Sequence, residues 1–233
     1  MFLHLYNRKQ TIKTCIEHGK ITEMRLLILG VILAFLTVPS IGLPSKVYLP
    51  VPFLCQAPYA NWDHPWQEGC EEAGIIMALH YIKGTPLTPA IGNQEILDLV
   101  DFQVRQYGGH RDLTAEQCAG LIKDYYKYDQ VEVLSEITVE DIKKELAGRH
   151  LVLAPMAGRL LRNPYYTPPG PAYHYILFKG YDDRSGEFIT NDMGTRRGKD
   201  YRYKYKVAYN AIHDWTGSKE TINQGRKAAI VIK

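Results

Sequence analysis

The order of apolar and polar positions divides the chain into stretches of different character. Leu26 to Leu36 reads L-L-I-L-G-V-I-L-A-F-L, and no charge follows before Lys46. Lys46 to Pro52 reads as an extended lead-in, because its prolines forbid helix. From Cys70 an apolar-rich run continues to Lys83 and meets Gly84 and Pro86, which predicts a helix between those limits. Ile96, Leu97, Leu99, Val100 and Val104 recur at helical spacing, predicting a second helix from Glu95 to about Tyr107, ended by Gly108-Gly109. Thr114-Ala115-Glu116-Gln117 has the form of a capping box and starts a third helix reaching about Tyr126. Thr138 is the N-cap of a short fourth, ending near Gly148.

After that the period changes. Leu151 to Met156 is a buried-strand signal, and Gly158 to Ala172 is a long loop rich in Pro, Asn and Tyr. Tyr173 to Tyr181 predicts a strand, Asp182 to Gly186 a turn, and Glu187 to Asn191 a returning strand. Tyr201 to Val207 alternates strictly, which predicts a strand with one aromatic and one basic face. Ala228 to Ile232 supplies a last strand. Helices first and an antiparallel sheet second describe an α+β fold.

The apolar run near the N-terminus follows Arg8, Lys9, Lys13, Lys20 and Arg25. Basic residues before an uncharged segment are the layout of a signal peptide or signal anchor, here residues 1–45. Met24 offers an internal start, and Ser40-Ile41-Gly42 supplies small residues for cleavage near Gly42. The expectation is a secreted protein or one held outside the cytoplasm by a membrane tether, with a single domain over residues 46–233. The apolar core is short against the roughly 20 residues of a membrane span, which favours cleavage.

Composition narrows the functional classes. The net charge of +3 is small and the basic residues are scattered, so no stripe points to nucleic acid. The cysteines are Cys15, Cys55, Cys70 and Cys118, and none forms a C-x-x-C pair, which argues against a zinc site. A Cys55–Cys118 bridge beside one free thiol, or unpaired buried thiols, both satisfy the count. His64, His80, His110, His150 and His213 lack a partner at telling spacing and read as ordinary surface or core residues. Trp62 and Trp66 suit packing beneath the nucleophile helix or lining a groove, and packing is the expectation.

The chemistry concentrates at Cys70. A thiol where a loop becomes a helix feels the unpaired N–H groups and positive dipole end of the first turn, and both favour thiolate. His174 opens a hydrophobic strand, and the strand after it ends in Asn191-Asp192. Nucleophile, base, then orienter is the chain order of papain-like catalysis. Asn191 points to the opposite strand face from Asp192, which makes Asp192 the better orienter.

Four segments carry a family resemblance: V-P-F-L-C-Q (Val51 to Gln56), W-Q-E-G-C-E-E-A (Trp66 to Ala73), A-Y-H-Y-I-L-F-K-G-Y-D (Ala172 to Asp182) and F-I-T-N-D-M-G-T (Phe188 to Thr195). Together they resemble the peptidase-like proteins related to the bacteriocin double-glycine-leader peptidases, a branch of the papain fold. The resemblance implies a thiol peptidase acting on a peptide or protein substrate without cofactor or metal. It assigns Cys70 as nucleophile, His174 as base, Asp192 as orienter and Gln56 as an oxyanion-hole donor. An amide suits that last role because it donates without bringing a charge.

One departure bears on activity. The family commonly has Gly-Pro after its cysteine, whereas this chain has Glu71-Glu72. Carboxylates in a first helical turn suit the dipole, yet beside a thiol they oppose thiolate formation. That motivates an alternative on the same scaffold, a peptide- or glycan-binding module without turnover; a further alternative keeps the nucleophile but changes the acceptor, giving a transamidase of the transglutaminase type. Tyr165 and Tyr166, in the loop before His174, suit either a substrate wall or simple lid packing.

Overall fold

The computed structural model describes residues 42–233. The expectations for the leading segment fall on residues 1–41 and lie outside the described residues. Among the described residues no helix is long and apolar enough to cross a membrane.

Seven strands form one antiparallel sheet: β1 (Lys46–Tyr48), β2 (Val131–Ser135), β3 (Leu151–Ala157), β4 (Tyr173–Asp182), β5 (Glu187–Asn191), β6 (Tyr201–Lys204) and β7 (Ala228–Ile232). Their order is β2-β7-β3-β4-β5-β6. β3 takes the edge of β4 from Tyr173 to Phe178, and β1 continues that edge from Gly180 to Asp182. Gly180 is required there: a Cβ would lie 2.3 Å from the Val47 carbonyl oxygen. Pro155 is tolerated inside β3 because β7 pairs with β3 only over Leu151–Leu153.

Among the described residues five α-helices accompany the sheet: α1 (Cys70–Lys83), α2 (Pro89–Tyr107), α3 (Ala115–Tyr126), α4 (Val139–Ala147) and α5 (Tyr205–Ala211). Every residue of α1 from Cys70 to Leu79 is buried, apolar from Ala73 onward and carrying two interior carboxyls, Glu71 and Glu72, in its first turn. It packs against β3 and β4, with Gly74 pressed on Leu153 so closely that a Cβ would meet its Cδ1 at 2.6 Å. Gly84 ends it in the left-handed conformation at φ 64°. The fold is the α+β arrangement expected of the papain-like class.

The helix limits follow local chemistry. α3 and α4 begin with capping boxes at Thr114 and Thr138. α2 starts six residues earlier than its apolar periodicity indicates. Thr88 caps it by accepting from Ile91 N at 3.2 Å, and Pro89 occupies the first helical position. The strand expected over Tyr201–Val207 stops at Lys204 and becomes α5. Lys204 pairs with Glu187, the first residue of β5, so beyond it the chain has no partner strand. Helical spacing then buries Ala208 and Ala211. β2, a short strand pairing with β7, was not foreseen from the sequence.

Candidate active site

Cys70 is the first residue of α1, where its N–H has no intrahelical carbonyl to bond. A single 3-10 turn, Trp66–Glu68, delivers the chain to that position, and Gly69 N closes it on Trp66 O at 3.2 Å. The Cys70 Sγ donates to Glu71 Oε2 at 2.9 Å. Burial, and then the Glu71 charge, push the thiol well above its ordinary value. Glu71 and Glu72 are both buried, so they are interior groups rather than dipole partners facing solvent. Glu71 Oε1 accepts from Leu113 N at 3.1 Å. Glu72 Oε1 accepts from Gln103 Nε2 at 2.5 Å and lies 3.3 Å from His110 Nε2. Burial and the neighbouring Glu72 push the Glu71 carboxyl well above the usual carboxylate range.

His174 and Asp192 meet across the open ends of β4 and β5. His174 Nε2 lies 2.9 Å from Asp192 Oδ1, both groups buried. The pair fixes the tautomer: Nε2–H donates to the carboxylate, and Nδ1 keeps its lone pair. Asp192 Oδ1 also accepts from Gly194 N at 3.0 Å. Its Oδ2 accepts from Tyr166 OH and Tyr203 OH, each at 2.6 Å, and from Asn163 Nδ2 at 2.9 Å. Burial alone would raise this carboxyl, but the bonds from His174, Tyr166 and Tyr203 hold it below its usual value. Asn191 points away and donates to Pro52 O at 2.9 Å, in agreement with the face argument.

Leu113 joins the two halves of the site. Its N–H donates to Glu71. Its carbonyl accepts from Tyr173 OH at 2.6 Å and Tyr175 OH at 3.1 Å, the two neighbours of His174.

Cys70, His174 and Gln56 line one cavity of about 740 Å³, and Asp192 stands behind the imidazole. The Gln56 Nε2 donates to Trp66 O and Gln67 O, both at 2.9 Å, and its buried Oε1 has no partner among the described residues. Two facing carbonyls fix that amide orientation, since the reverse would set oxygen against oxygen. Trp62, Tyr165 and Tyr166 line the same cavity. Trp62 is therefore a groove residue, correcting the packing expectation, whereas Trp66 does pack, with Nε1 on Asn93 Oδ1 at 3.0 Å. Both tyrosines form a wall, and Tyr166 adds its bond to Asp192.

Other expectations change. Cys55, Cys70 and Cys118 are all free and buried, so the bridge does not form. His80, His110 and His150 do have carboxylate neighbours: Glu95 at 2.9 Å, Glu72 at 3.3 Å and Glu145 at 2.8 Å. Sequence reasoning missed Asn163, Tyr166 and Tyr203 as partners of Asp192. The alternation of tyrosines in Tyr201–Tyr205 was the one signal pointing to Tyr203.

No curated protein sequence matches the chain. Among solved structures, a C39-like peptidase from Bacillus anthracis shares 15% identity at a TM-score of 0.53, covering 82% of this chain and 98% of its own. Xylellain, a cysteine protease from Xylella fastidiosa, shares 14% identity at a TM-score of 0.43, covering 82% and 87%. The first supports the shared fold. A sequence model of the Peptidase_C39 like family matches residues 48–222. The chain thus belongs to the Peptidase_C39 like family.

Proposed function

We propose that this protein hydrolyses peptide bonds through an acyl-enzyme on Cys70. The supporting observation is the His174–Asp192 pair at 2.9 Å, with His174 lining one cavity together with a cysteine at the first position of a buried helix. His174 Nδ1 takes the thiol proton as sulfur attacks the scissile carbonyl carbon. The C–N bond breaks, and the same proton passes to the leaving amine. Water then attacks the thioester, giving up a proton to Nδ1, and the acid leaves as sulfur regains that proton. Asp192 keeps Nε2 protonated and stabilises the imidazolium. The Cys70 N–H faces the developing oxyanion, and Gln56 joins it by releasing one of its two carbonyl partners.

A binding module without turnover is the second reading, and the Cys70–Glu71 bond favours it because it opposes thiolate formation. A thiol-directed activity probe followed by peptide mapping separates the two. The expected result is selective labelling of Cys70 over Cys55 and Cys118, with loss of peptide hydrolysis in Cys70→Ala. An unlabelled Cys70, or full turnover in the alanine variant, refutes the peptidase. The transamidase alternative predicts amide products when a primary amine is added. The apolar segment Leu26 to Leu36 extends the proposal to export, which N-terminal sequencing of the secreted product tests.

A further inference from the structure

We propose that the cleft selects peptides carrying a carboxylate on the leaving-group side of the scissile bond, held by Arg196 and Arg197. This rests on the peptidase reading and concerns residues that share the cavity with Cys70. Both arginines line the cavity and are exposed. Among the described residues neither guanidinium is in an ion pair; nearby pairs use other cations, such as Lys219 with Glu68 at 3.4 Å and with Asp112 at 3.6 Å. Glu68, the carboxylate on the cavity lining, is therefore already matched, and the unmatched charge at the cavity wall is positive.

The placement follows from the loop after Asp192. Gly194 lies directly on the imidazole: a Cβ there would be 2.8 Å from His174 Cε1. An imidazole that returns a proton to the departing amine stands on the leaving-group side. The turn from Gly194 to Arg197 borders that half of the cleft. It is shaped by Arg197 N donating to Thr195 Oγ1 at 3.2 Å. The Arg197 guanidinium lies over the Tyr165 ring, 4.9 Å from its centroid. Tyr165 in turn is tied by its N–H to Asn163 Oδ1 at 3.0 Å, the residue that also donates to Asp192. The ring contact restricts the guanidinium, which among the described residues has no hydrogen-bond or ion-pair partner, and a carboxylate is the partner its fork geometry fits best.

The carboxylate could belong to a Glu or Asp side chain or to a free C-terminus, and one peptide series distinguishes them. A quenched substrate is made with Glu, Gln or Lys at the first or second position after the cleaved bond, each with an amidated or free C-terminus. The expected kcat/KM order is Glu over Gln over Lys, with Glu ahead of Gln by about fivefold. The ratio should shrink with added salt and fall to about one in Arg196→Ala/Arg197→Ala. A gain confined to free-acid peptides assigns the site to the C-terminal carboxylate. Equal rates throughout, a ratio unaltered in the double variant, or a preference seen only on the acyl side overturns the inference. Anisotropy of the same peptides on the Cys70→Ala protein keeps the two questions apart. Selective binding without turnover by the wild type sinks the peptidase and retains the carboxylate site. Turnover without charge preference does the reverse.

Discussion

The Cys70 sulfur lies 2.9 Å from Glu71 Oε2, the carboxyl of the next residue along the same buried helix. Whether that carboxyl is ionised decides the state of the thiol. As an anion it accepts the S–H and opposes thiolate. As an acid it donates to sulfur and favours thiolate. Glu71→Gln removes the charge while retaining a donor for sulfur and an acceptor for Leu113 N. The expected result is that iodoacetamide labelling of Cys70 moves to lower pH in this variant. An unchanged pH profile of alkylation would remove Glu71 from control of the nucleophile.

The same residue affects stability with a definite sign. Burial, then Glu72, raise the Glu71 carboxyl in the folded protein, so the native state holds its proton to higher pH than the unfolded chain does. Stability from this group is full below the ordinary carboxylate value near 4.3 and falls as pH rises toward the folded value. Glu71→Gln should therefore melt at higher temperature than wild type at pH 8, with the gap narrowing at pH 4. Thermal melts across that range check it, and a gap that widens toward acid contradicts the burial argument.

Asp192 behaves oppositely. Its bonds hold the folded carboxyl below its usual value, so the stability it contributes is present above the unfolded value near 3.9 and fades as pH falls through the folded one. Asp192→Asn should lower kcat/KM on the order of 10²–10⁴-fold by releasing the imidazole tautomer. It should also reduce the acid sensitivity of the melting temperature between pH 5 and pH 2. Steady-state kinetics paired with melts at those pH values test both halves. A variant with near-wild-type kcat/KM would show that His174 needs no such partner.

Gly194 tests how tightly the imidazole is seated. A Cβ at that position would stand 2.8 Å from His174 Cε1, 3.0 Å from Nε2 and 3.2 Å from Tyr166 Cε1. Gly194→Ala should displace the ring and cost about 10²-fold in kcat. The loss of stability should stay at about 1–3 kcal/mol. Kinetics alongside denaturant unfolding separate the two effects; unaltered kcat would mean that the ring tolerates the shift.

The elements that were legible in the sequence are those with local causes. Cys70 at the start of α1, the capping boxes at Thr114 and Thr138, and the β4-turn-β5 hairpin each follow from residues within a few positions of one another. The helical reading of α2 lost its first turn because Pro89 to Gln94 carries no apolar periodicity, and its start is fixed by the Thr88 cap. The strand-to-helix change at Lys204 was illegible for another reason: it depends on where β5 ends, a tertiary fact. The same holds at the site. Cys70, His174 and Gln56 do border one cavity. The hydroxyls on Asp192 come from positions 166 and 203, and the contact of Glu71 with residue 113 spans 42 positions, distances that no local pattern encodes.

The backbone of Leu113 holds Glu71 by its N–H and both tyrosines flanking His174 by its carbonyl. Registration between attacking and proton-handling groups is thus written into main chain, which side-chain replacement leaves in place. Leu113→Met should keep most activity, whereas Leu113→Pro, lacking the donor, should abolish it; equal activity in both would dissolve the link. Residues 108–114 have no regular secondary structure, so this tie rests on three buried hydrogen bonds and the buried Leu113 side chain, with no helix or sheet ladder behind it. Breaking those three bonds should therefore silence the protein while leaving its sheet standing, a loss visible in turnover and invisible in secondary structure.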